Sequence, residues 1–181
     1  MKYLKKLSWI ILASAAILSG CTQSNIVSPS SGLVEGDGQP DLEVTKDIPI
    51  DWEEVTNDVR EVYMEPYGPF ADYVMDMAIS YDSDSKTVKV LLPVTHKTTP
   101  EIAARYGEAI LKTAGASIAT QNFYYEAPDE ASDEVYYGSY FDENNVLVQV
   151  FFYDEEGNEG SYLVNDTMKA GEQRALVPRA Q

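Results

Sequence analysis

The chain has 181 residues, 30 of them acidic and 13 basic, with a formal net charge of −17 at neutral pH. A field of that sign repels polyanions and excludes nucleic acid as a partner class. A single cysteine and a single histidine rule out an internal disulfide and a histidine-based metal cluster.

The chain opens with a basic stretch, Lys2, Lys5 and Lys6, followed by an apolar run over residues 7–18 with small residues toward its end. That run is shorter than the roughly 20 residues a membrane-spanning helix needs. It ends at Leu18-Ser19-Gly20-Cys21, and Cys21 is the only cysteine. These four residues behind such a leader resemble the lipobox of bacterial lipoproteins. The resemblance implies removal of residues 1–20 as a signal peptide and a diacylglycerol on the thiol of Cys21, whose new amine is a further acylation site. The expected location is the extracytoplasmic face of the cell membrane, held by lipid, on a Gram-positive surface or a Gram-negative outer membrane. Two or three acyl chains are sufficient for such anchoring. Cleavage removes three basic residues and no acid, which leaves the mature chain at a formal −20.

Residues 21–50 form the lipidated cysteine and a Ser-, Pro- and Gly-rich acidic linker that can bury little apolar surface. From Asp51 the pattern changes. Asp51 is a helix cap with Glu53 and Glu54 in the first turn, and Trp52, Val55, Val59 and Val62 or Tyr63 recur at helical spacing. Pro66, Gly68 and Pro69 end that helix. Residues 73–81 alternate as a strand, with Met75 and Met77 on the apolar side and Asp76 on the other. Asp82-Ser83-Asp84-Ser85 then turns into a second strand carrying Val88, Val90, Leu92 and Val94. Thr98 or Thr99 ahead of Pro100 and Glu101 starts a second helix over about 100–120, which Gly115 could shorten.

A second hairpin is expected from Val135, Tyr137, Ser139 and Phe141, alternating with Tyr136, Gly138 and Tyr140. Asp142-Glu143-Asn144-Asn145 would turn it into Val146, Val148, Val150 and Phe152. Both sides of that last strand are apolar, so it should be central or covered. Residues 161–164 could add an edge strand, and residues 169–181 read as a C-terminal tail. The expected fold is therefore a single α+β domain over 51–168, in the order αββαββ. It places an antiparallel sheet of four to five strands, in two hairpins, under two helices on one face. The expected core joins Trp52, Val55, Val59, Met75, Met77, Val90, Leu92, Ile102, Tyr106, Ile110, Val148 and Val150.

Chemical motifs are sparse. No nucleophile elbow, phosphate loop, dinucleotide fingerprint or zinc-protease helix occurs. His96 falls between a strand and a helix and reads as an exposed linker residue. The acidic turns at 82–84 and 154–158 offer oxygen ligands but fit ordinary turn chemistry. No catalytic residue, metal ligand or cofactor site is therefore expected. Tyrosine is abundant, at 13 residues, and Tyr136 and Tyr140 share one face of the expected strand beside acidic Asp142 and Glu143. That set is the candidate binding surface, because exposed tyrosines make rigid amphipathic contacts. The reading favours a lipid-tethered, non-catalytic module for an envelope protein, peptide or glycan. The alternative is a small envelope hydrolase using a pair of carboxylates.

Overall fold

The computed structural model describes residues 44–64, 68–129 and 135–180. The expected signal peptide, Cys21 and the expected linker up to residue 43 lie outside the described residues.

Helix α1 spans Trp52–Tyr63. Asp51 caps it, its carboxylate accepting the backbone N–H groups of Glu53 and Glu54. The apolar stripe predicted from spacing is the buried one: Val55, Val59 and Tyr63 face the core, while Val62 is exposed. Strand β1 spans Ala78–Asp82 and β2 spans Thr87–Val94, antiparallel to it. The Asp82 carboxylate accepts the backbone N–H groups of Asp84 and Ser85, which closes the turn between them. Lys89 beside Asp82 holds its carboxyl at about 2, below the usual aspartate range.

The first strand is shorter than its alternation suggests. Over residues 73–77 only an isolated bridge from Val74 to Val94 joins the sheet. Met77 is fully buried but Met75 is 52% exposed, so Met75 leaves the expected core. Trp52 and Ile102 are half-buried, and the other nine expected core residues are buried.

Helix α2 spans Pro100–Gln121, with Thr99 capping the N–H of Ile102. Gly115 does not end it. A Cβ at Gly115 would lie 1.8 Å from the carbonyl oxygen of Tyr137, so glycine is required there by close approach of another segment. That segment, residues 135–141, is the main departure from the expected topology. It forms no strand. Gly138, at φ 109°, breaks its extension, and Ser139–Asp142 coil into a 3-10 turn that buries Tyr140 and Phe141.

Strand β3 spans Asn145–Phe152 and pairs parallel with β2, from Thr87 opposite Asn145 to Val94 opposite Phe152. Strand β4, Val164–Met168, pairs antiparallel with β3, giving the order β1-β2-β3-β4. The α+β class holds, but the sheet is mixed and not antiparallel, and the αββαββ order is only partly matched. The expected pairing of 135–141 with 146–152 is replaced by the parallel β2–β3 ladder. The physical reason is length: parallel neighbours need a crossover of a dozen or more residues, and the long α2 supplies one. β3 is central, in keeping with its two apolar sides.

Register places Ile79, Val88, Val90, Leu92, Val146, Val148, Val150 and Val164 on one sheet face, all buried. Both helices lie on that face: Thr56 of α1 bonds the carbonyl of Ile79, and Gly107 of α2 approaches Val148. The sheet's other face carries Lys89, Leu91, Pro93, Leu147 and Gln149, all half-buried.

Residues 169–180, read from sequence as a tail, pack on the domain. Leu176 is buried and would meet any Cβ at Gly107, and Pro178 bridges to Val164. Arg174 grips Asp166 through both guanidinium nitrogens, at 2.7 and 3.0 Å, and Asp166 also accepts the N–H of Val177 at 2.8 Å. Arg174 above all, opposed by partial burial, holds the Asp166 carboxyl below its ordinary 3.8. A depressed folded-state pKa stabilises the fold above the unfolded value and loses that contribution as pH falls through the folded one. The stability gap between wild type and Asp166→Asn, measured by urea midpoint, should therefore be full at pH 7 and shrink below about pH 4. An unchanged gap at pH 3 would contradict this role for the clamp.

Candidate binding surface

A groove of about 530 Å³ runs between α1 and the edge strand β1. Its apolar part comes from Trp52, Met77, Ile79 and Tyr81, and its polar part from Glu53, Thr56, Asn57, Arg60 and Ser80. Trp52 enters as the first residue of α1 and stacks on Tyr81 near the end of β1, with ring centroids 5.4 Å apart and planes 12° off parallel. Trp52, Thr56 and Arg60 follow one another at a spacing of four, so all three fall on one side of the helix. That side faces the free edge of β1.

The edge is guarded. Thr56 donates its hydroxyl to the Ile79 carbonyl at 3.2 Å, and Arg60 donates to the Met77 carbonyl at 2.7 Å and to Asp76 at 2.6 Å. Side-chain donors thus occupy carbonyls that no neighbouring strand takes, which blunts an edge that would otherwise pair with another chain. Arg60 Nε is buried without a hydrogen-bond partner among the described residues. Asn57 is exposed at the groove's rim.

A row of rings continues from this groove. Trp52 and Tyr81 both meet Tyr140 edge-on, Tyr140 meets Tyr125 at 4.9 Å, and Tyr125 meets Tyr124 at 5.1 Å. Tyr140 is the centre of the row and is buried, and Tyr81 hydrogen-bonds Asn144, which in turn donates to the Tyr140 carbonyl. Burial, reinforced by Tyr81, pushes the Tyr140 hydroxyl well above its ordinary value.

The four residues expected to form one surface are divided by this arrangement. Tyr140 is a structural ring, and no strand face joins it to Tyr136, which is half-buried. Burial and the nearby Asp142 raise the Tyr136 hydroxyl. Asp142 accepts from Gln173 at 2.6 Å, tying the 3-10 turn to the C-terminal stretch. Glu143 pairs with Lys46, which also lies 4.9 Å from the Tyr124 ring centroid. Residues 44–50, placed in the linker by composition, therefore include contacts with the domain.

His96 is exposed, as its linker position suggests. It pairs with Asp154 at 3.1 Å and lies against Phe152, at the end where β2 and β3 both terminate. The carboxylates of Asp76, Asp82 and Asp154 each face a basic partner, Arg60, Lys89 and His96 in turn. Among the described residues, no group of three or more His, Cys, Asp or Glu side chains is arranged to hold a metal ion.

Sequence reasoning missed Asn57 and Arg60 because it assigned α1 only a core stripe. The available signal was Arg60 itself, the one basic residue in a helix that also holds Glu53, Glu54, Asp58 and Glu61. Compared with known protein families, curated proteins and solved structures, the chain shows no match.

Proposed function

We propose that this chain is a lipid-anchored envelope protein whose domain binds a protein, peptide or glycan partner in the groove between α1 and β1, without turnover. The observation that carries the binding reading is the groove itself: the stacked Trp52–Tyr81 pair beside the convergent polar groups of Glu53, Asn57 and Arg60. Ligand sites typically combine an apolar, aromatic surface with a few placed polar groups. The anchoring reading rests on the leader and the Leu18-Ser19-Gly20-Cys21 junction.

The groove is tested by filling it. Asn57 is exposed on α1, so Asn57→Trp should leave the unfolding midpoint within about 0.5 kcal/mol of wild type. It should reduce capture of the cell-envelope partner at least tenfold, while Glu156→Trp, on an exposed turn, should not. Equal capture by both variants would move the site elsewhere. Anchoring is tested by mass spectrometry of the native N-terminus, which should begin at an acylated Cys21, and by Cys21→Ala, which should abolish processing there. A membrane-associated chain with Gly20 still joined to an unmodified Cys21 would overturn that part.

A further inference from the structure

A second exposed feature shares no residue with the groove. Phe123 is 80% exposed, its neighbour Tyr124 40% and, across the cap of α2, Ile48 46%. Hydrogen bonds through Asn122 bring Ile48 and Tyr124 together. Asn122, the cap of α2, donates to the Ile48 carbonyl at 3.2 Å and accepts the Tyr124 N–H at 2.9 Å, and Lys46 sits over the Tyr124 ring. A large aromatic side chain left this exposed, with an aliphatic neighbour, marks a contact surface.

The position of the patch identifies what it meets. Val44 is the first described residue, and 22 residues separate it from Cys21. A chain of that length reaches at most roughly 75 Å when fully extended. On the lipid-anchor reading, Ile48 lies near the anchor in chain length, and its bond to Asn122 brings Phe123 and Tyr124 with it. Such a tether holds the patch and the bilayer at high effective concentration, so even a weak contact is populated. We infer that Ile48, Phe123 and Tyr124 form a membrane-facing patch, with Phe123 inserting among lipid head groups. Phe and Tyr suit that boundary, because their apolar bodies enter it and the Tyr hydroxyl stays at the polar level. The acidic residues nearest in sequence to Ile48 and Tyr124 are Asp47, Asp51 and Glu126, and Lys46 is paired with Glu143. The contact is accordingly apolar and favours zwitterionic over anionic lipid.

This inference rests on the anchor reading, yet it is testable apart from it. The sole cysteine permits coupling of the chain that starts at Cys21 to a maleimide lipid in phosphatidylcholine vesicles. In Phe123→Trp, the new indole should shift to the blue on coupling and be quenched by brominated acyl chains, above the constant background of Trp52. In Glu156→Trp, at the opposite end of β3, the indole should remain water-exposed and accessible to iodide. Replacing half the phosphatidylcholine with phosphatidylglycerol should weaken the acyl quenching at position 123. A water-exposed indole in tethered Phe123→Trp would overturn the inference. So would a blue shift without acyl quenching that grows with protein concentration, since that would make the patch an interface between two copies. Because the chemical tether replaces the native lipid, either result stands independently of whether Cys21 is acylated in cells.

Discussion

Gly115→Ala should destabilise the domain by about 3 kcal/mol or more, the reverse of what the same change does in most helices. In an ordinary exposed helix interior, alanine gains roughly 0.5–1 kcal/mol over glycine through chain entropy. Gly115 is buried within α2, and a Cβ there would sit 1.8 Å from the Tyr137 carbonyl oxygen. The obstacle is backbone, so no side-chain rotation relieves it. Either α2 or the 135–141 segment must move, and inserting atoms into a packed core costs about 1–3 kcal/mol and occasionally more. Movement of that segment would also disturb Gly138, Tyr140 and the row of rings packed on it. Urea unfolding of wild type and variant checks the sign directly. A neutral or stabilising alanine would mean that the crossing of α2 by residues 135–141 is wrong.

Tyr140→Ala should cost about 3–5 kcal/mol, in the range of large buried aromatic truncations. Tyr136→Ala should cost less than about 1 kcal/mol, as a half-buried side chain outside the ring row. Tyr140 touches Trp52, Tyr81, Tyr125 and Phe141, so its loss opens a cavity at the junction of α1, β1 and the 3-10 turn. The unfolding midpoints of the two single variants separate these roles. The chain alone suggested that both rings would be contact residues that leave stability intact. A Tyr140→Ala protein with wild-type stability would restore that view.

These two sites show where the sequence was readable and where it was not. The stripe of α1, the cap at Asp51, the proline start of α2 and the first hairpin are local signals, and the structure follows them, except that the hairpin's first strand begins at Ala78. Alternation over 135–141 is equally clear, but a period of two reports only that side chains face opposite ways. It cannot name the partner strand, nor show that Gly138 will bend the segment across a helix before it pairs. The parallel β2–β3 ladder is a long-range choice with no local marker beyond the length of α2. Leu176 is a similar case. The run Ala175-Leu176-Val177 is too short to carry a periodicity, yet Leu176 reaches the core beside Gly107 while Val177 stays exposed. The groove was obscured for another reason: Thr56 and Arg60 belong to the polar side of an amphipathic helix, and only the position of β1 turns that side into a site. Counting tyrosines pointed to an aromatic surface but not to which rings support it and which remain available.

The central claim is that the domain works by holding a partner in the groove between α1 and β1. The most direct measurement is photo-cross-linking in living cells, with a photoreactive residue at position 57 and, separately, at position 156. The account predicts a discrete cross-linked partner from position 57 that is absent from position 156. It also predicts that Trp52→Phe, which keeps a ring over Tyr81 but shrinks it, reduces the yield at position 57. Indistinguishable cross-linking from the two positions would contradict the account.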